Sequence, residues 1–278
     1  VDEGARPRTV PPRPLGPRVP RVVTLAAGAG LALLVLPVLA LLVRADWGSV
    51  PAAVTSPEAL AALGLSLRTG AAATALCVVL GFPLAVLLAR SQGRAADVVR
   101  ALVTLPLVLP PTVGGIALLY LLGRQGLVGE HLDALLGVRV PFTIAAVVLA
   151  QAFVALPFLV LAVEGSLRTL GTGYETVAAT LGAGRWMVLR RVTLPLAAPG
   201  LASGTVLCFA RALGEFGATA LFAGNVPGVT RTMPLAIYTA FNGAGVSPDT
   251  AVALSLLLVG AAVVILVLAR AWRPGVRA

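Results

Sequence analysis

The sequence predicts an all-α polytopic membrane protein of about six transmembrane helices. Three observations predict it: an apolar composition, six long apolar runs, and an uneven distribution of arginine among the segments between them. Of 278 residues, 58% are hydrophobic and only 12% are charged, and the mean hydropathy is +0.98. Soluble domains carry about 25% charged and about 45–50% apolar residues. A water-soluble globule made from this chain would leave apolar surface that only lipid can solvate.

The runs are Val22–Val43, Ala61–Ala89, Val98–Leu122, Phe142–Val163, Leu194–Ala223 and Thr250–Leu268. Each meets or approaches the roughly 20 apolar residues that cross a hydrocarbon core of about 30 Å. None alternates polar with apolar residues, and unpaired backbone groups are costly in lipid, so the runs read as helices. Residues 1–21, rich in Pro and Arg, read as a disordered tail, 22–270 as the membrane domain and 271–278 as a short second tail. The run from Val22 lacks a small-residue cleavage site, which makes it an uncleaved first span and not a signal peptide.

All 21 basic residues are arginines. With the N-terminal tail inside, fifteen fall in inward segments, four outside, and Arg68 and Arg211 within spans. Such a bias over short loops predicts that both termini are cytoplasmic. Arginines dispersed between apolar runs set topology and form no nucleic-acid-binding face. Cys77, Cys208 and the lone His131 have no ligand spacing, which argues against a metal site or a disulfide framework.

Pro106, Pro110 and Pro111 predict a broken helix over Thr104–Gly115. Gly200 and Gly204, spaced as GxxxG, permit a close helix approach in the fifth span. The outer stretch Gly224–Asp249 packs as a short surface helix or folds back into the mouth of a pathway.

The inward loop Glu164–Thr193 is too polar to span and carries a helical pattern. Tyr174, Val177, Ala178 and Leu181 share one face, Gly182 and Gly184 break it, and a second short helix follows through Trp186, Val188 and Leu189 towards Leu194–Pro195. This makes a compact knob with Glu175 and Arg185 near its tip. It suits either docking onto a partner or lying on lipid headgroups with Arg190 and Arg191 at phosphates.

The knob resembles the signature loop of bacterial ABC importer permeases, in which glutamate, two alanines, three variable residues and glycine precede a leucine–proline pair. The glycine is Gly182, followed by Ala183, the second alanine is Ala178, and the pair is Leu194–Pro195. Val177 takes the first alanine position. Thr176 takes the glutamate position, with Glu175 beside it. The resemblance implies a type I ABC importer permease fold. It also implies that Tyr174, Glu175, Thr176, Ala178, Gly182, Ala183, Arg185, Leu194 and Pro195 form an ATPase-docking loop.

In the fifth span Arg211 and Glu215 stand four residues apart, on one helical face. An isolated charge there costs about 2.5–3.5 kcal/mol on insertion scales. The pair is either a neutralised link between helices or a gate beside an anion's route, together with Phe216 and Thr219. Gly214–Thr219, followed by Gly224, Asn225 and Pro227, resembles the molybdate branch of these permeases, and Ser66–Gly70 resembles the wider family. That likeness implies a homodimeric permease in the bacterial inner membrane, importing molybdate or tungstate. Its implied partners are two ABC ATPase subunits carrying ATP–Mg, an external binding protein and the oxyanion. The chain has no GxxxxGK[ST] loop, so hydrolysis, and any cofactor, belong to the partners, and no catalytic, cofactor-binding or metal-binding residue is expected here. The alternatives are a sulfate or thiosulfate ABC permease and an ion-coupled secondary transporter, which the knob disfavours.

Overall fold

The computed structural model of the chain describes residues 20–243 and 248–271. Most of both predicted tails lies outside them. All regular structure among the described residues is helical. The described residues up to Arg44 form one unit and those from Ala45 onward another.

The first unit's helix, α1 (Arg21–Arg44), is apolar all round its circumference and contains Pro37. The second unit opens with the short α2 (Val50–Val54), and then α3 (Pro57–Arg90), whose N-cap Ser56 accepts a hydrogen bond from the Ala59 N–H. At about 1.5 Å per residue, its 34 residues run well beyond one hydrocarbon thickness.

Helices α4 (Arg94–Val108) and α5 (Pro111–Leu122) meet at a bend of 115°. Leu109 and Pro110 each precede a proline and are extended, with ψ of 135° and 134°. A proline ring excludes the helical conformation from the residue before it, so the chain breaks where the proline pattern predicts. A short α6 (Gly129–Leu136) leads to α7 (Ile144–Leu170), capped by the Thr143 hydroxyl.

Then come α8 (Gly173–Thr180), α9 (Arg185–Val188), one π-helical turn (Leu189–Thr193) and α10 (Leu194–Leu213). A hexapeptide helix, α11 (Gly217–Phe222), precedes α12 (Met233–Asn242) and α13 (Pro248–Ala271). Among the described residues five helices are long and apolar enough to cross a membrane, or six where the bent α4–α5 pair counts as one span. The fifth apolar run, expected as one helix from Leu194 to Ala223, is divided at Gly214–Phe216 into α10 and α11.

Helix α7 is the centre of the second unit, packed between α3 and α10. Its buried Leu159, Val160, Val163 and Leu167 meet Ala73, Cys77, Ala85 and Leu88 of α3 and Ala197, Cys208 and Ala212 of α10. Glycines permit the approach. A Cβ on Gly81 would stand 2.8 Å from Leu159, one on Gly204 would stand 3.0 Å from Ala162, and one on Gly200 would strike the Ser166 side chain. Lipid gives no hydrophobic drive for helices to associate, so small residues and close van der Waals contact do that work. A second cluster joins α5, α7 and α11 through Leu118, Val147, Ala218 and Phe222. A third joins the start of α3 to α12 and α13 through Ala59, Ala62, Met233 and Leu254.

Candidate functional site

Two sites predicted from the sequence occupy different ends of α10. Where α10 starts, α8, a turn and α9 build the knob. The α8 helix ends as Gly182 takes φ +85°, the left-handed conformation that L side chains resist. Ala183 N–H then bonds back to the Ala178 carbonyl, and Val188 N–H to Gly184. A Cβ on Gly182 would meet nothing within 4 Å. The glycine is therefore required by backbone conformation and leaves open space outside.

The outer surface of the knob is apolar and bare. Tyr174, Val177, Leu181 and Trp186 are 60–83% exposed, and Arg190 lies 5.9 Å over the Trp186 ring. Thr176 and Arg185 are exposed, Ala178 and Ala183 half-buried, and Leu194 and Pro195 exposed at the start of α10. Glu175 behaves differently. Its Oε1 accepts from Arg90 Nη2 at 2.8 Å and from the Thr193 hydroxyl at 2.6 Å, so it faces the bundle and not the tip.

Beside it, Glu164 on α7 accepts from Arg100 Nε at 2.7 Å and pairs with Arg168 at 3.1 Å. Arg100 also donates to the Leu88 and Ser91 carbonyls, satisfying backbone acceptors at the end of α3. In the sequence Arg90 and Arg100 read only as topology signals. Glu175 and Glu164, which they bind, lie 85 and 64 residues away in the chain, so no local spacing reveals these pairs; only the Arg100–Asp97 contact is local.

At the far end of α10, Arg211 and Glu215 pair at 2.7 Å as their spacing predicts. Glu215 lies beyond the last turn of α10, in the break, and is 1% exposed. Its Oε2 binds Arg211 while its Oε1 accepts the Ala218 N–H, one of the free donors at the start of α11. Thr219 is fully buried, whereas Arg211 and Phe216 remain partly open. The Phe216 ring sits 4.9 Å from that of Tyr238, beside a shallow hollow of about 270 Å³ walled by Pro234, Ile237 and Phe241. The structure thus turns Glu215 and Thr219 inward and leaves Arg211 and Phe216 at the accessible edge. Nearby, the Ser66 hydroxyl accepts the Met233 N–H at 2.7 Å, which ties α3 to the start of α12.

The family of binding-protein-dependent transport system inner membrane components matches residues 81–276, a stretch that contains the knob and the buried pair. The chain belongs to this family. The permease is 56% identical to the molybdenum transport system permease protein ModB of Mycobacterium tuberculosis over 241 residues, covering 87% of this chain and 90% of that one. To ModB of Escherichia coli it is 44% identical over 185 residues, 66% of this chain and 80% of the other. Among solved structures it resembles a bacterial ABC transporter involved in importing the polysaccharide alginate. There the TM-score is 0.66 at 19% identity, over 90% of this chain and 93% of that chain. Inward-facing MetNI, a methionine ABC transporter, gives 0.58 at 20% identity over 75% and 91%. The permease is a multi-spanning helical membrane protein with the fold of type I ABC importer permeases.

Proposed function

We propose that this chain is the permease subunit of an ATP-driven importer that moves molybdate or tungstate from an external binding protein into the cytoplasm. The observation that carries the reading is an exposed apolar knob turned at Gly182, in a chain 56% identical over most of its length to a permease named for molybdenum transport. Both termini and the knob lie on the cytoplasmic side, as the arginine bias favours. Two copies form the pore, and each knob seats on one ABC ATPase subunit.

The chain's part in the cycle is mechanical. ATP–Mg bound by the partners closes the ATPase pair, which draws the two knobs together and opens the path outward. Hydrolysis reverses the movement. Arg211, held by Glu215 at the open edge of the break, offers directed donors to a passing tetrahedral anion. Glu215 limits how tightly the anion is held, so release keeps pace with entry. Full coordination, and hence selectivity, belongs to the binding protein.

The test is uptake by proteoliposomes containing the permease, its ATPase and the binding protein. Molybdate accumulation that needs both ATP and the binding protein is expected. Accumulation of sulfate in preference to molybdate would overturn the substrate reading, and accumulation without ATP would indicate an ion-coupled carrier.

A further inference from the structure

Glu175 belongs to the knob by position, yet its carboxylate holds the bundle. One oxygen accepts from Arg90, the last residue of α3, and from Thr193, which ends the π-helical turn just before α10. Arg90 also donates to the Leu167 carbonyl near the end of α7 at 3.4 Å. The group is enclosed: the Arg90 and Glu175 side chains are 21% and 17% exposed and Thr193 is 4% exposed.

The pairing is also incomplete. Nε and Nη2 form one edge of a guanidinium, and that edge matches a carboxylate through two parallel bonds. Here only Nη2 is engaged, and Nε is buried without a partner among the described residues. A small tilt of α8 that brings the second carboxylate oxygen to Nε would complete the fork.

Resting on the function proposed above, we propose that Arg90, Glu175 and Thr193 form a two-setting latch, single-armed here and two-armed when the knobs are drawn together. It carries movement of α8 into α3 and α10. Glu175 is then a positioning residue for transport and not a contact to the ATPase.

The experiment uses the complete complex, with ATPase and binding protein, in proteoliposomes supplied with molybdate. R90Q and E175Q should each lower molybdate taken up per ATP about tenfold, and ATP hydrolysis should lose its response to the binding protein. The ATPase should still copurify with both. The reciprocal R90E/E175R exchange should regain a substantial part of the coupling. T193V, which removes one bond and keeps the shape, should lower the ratio by about threefold, and it serves as the readout if either charge variant fails to fold. An unchanged uptake-to-ATP ratio in the folded single variants would overturn the latch. So would loss of the ATPase from E175Q but not from R90Q, because Glu175 would then be a docking contact. If the unaltered complex does not accumulate molybdate, the substrate reading fails separately, and binding-protein-stimulated hydrolysis still scores the latch.

Discussion

Glu215 illustrates how a charge is held inside an apolar bundle: both carboxylate oxygens are committed, one to Arg211 and one to the Ala218 N–H in the first turn of α11. Removing one partner of a buried pair costs about 3–5 kcal/mol, mostly because the other charge is stranded. Arg211→Ala is therefore expected to lower the thermal transition of the detergent-solubilised permease markedly. Adding Glu215→Gln should recover most of the loss, since the amide oxygen can still accept from Ala218. If Arg211→Ala melts with the unaltered protein, Glu215 has another partner. The spacing of Arg211 and Glu215 made the pair legible in the sequence, because contacts within one turn are local. The second task of Glu215 was not legible, since it depends on a helix break. The partners of Glu175 were not legible either. An acidic residue near a loop tip suggests an outward contact, whereas its carboxylate accepts from Arg90 and Thr193, both distant in the chain.

Elements were legible where one residue type dictates the backbone. Successive prolines force Leu109 and Pro110 into extended conformations, and the bend follows. Gly182 at φ +85° likewise obeys a local rule. The division of the fifth run at Gly214–Phe216 was hidden, because Gly214 and Gly217 are weak signals in a chain with 30 glycines and tertiary contact decides. Gly217 lies against Pro111, and Gly115 against the Ala218 backbone, so α11 is seated on α5 and cannot continue the line of α10. The GxxxG spacing of Gly200 and Gly204 does mark a contact, made with α7 within the same chain. Gly200→Leu should destabilise that contact by about 1–3 kcal/mol through overpacking, visible as an earlier thermal transition, whereas the same change at Gly260, which faces open space, should have little effect. Gly182→Val should act differently again. It leaves the spans inserted, strains one turn by about 1–2 kcal/mol and fills the open space outside the knob, so the ATPase should no longer copurify while the permease itself stays monodisperse.

For the whole molecule, composition and hydropathy were enough to specify a helical membrane protein, because a bilayer leaves the backbone few alternatives. They could not say which helices touch. That is decided by small residues brought together from distant parts of the chain, as with Gly81 on Leu159 and Ser66 at Met233. Transport as proposed requires the knob to stand on the cytoplasmic side and receive the ATPase. In a background with Cys77 and Cys208 replaced by alanine, Leu181→Cys puts one thiol at its most exposed apolar position, 83% open. Labelling this thiol with a membrane-impermeant maleimide, in cells and in inside-out vesicles, tests the account most directly. It predicts reaction only in inside-out vesicles, and protection once the ATPase subunit is bound. Reaction from the outer face of intact cells, or labelling that the ATPase does not slow, would contradict it.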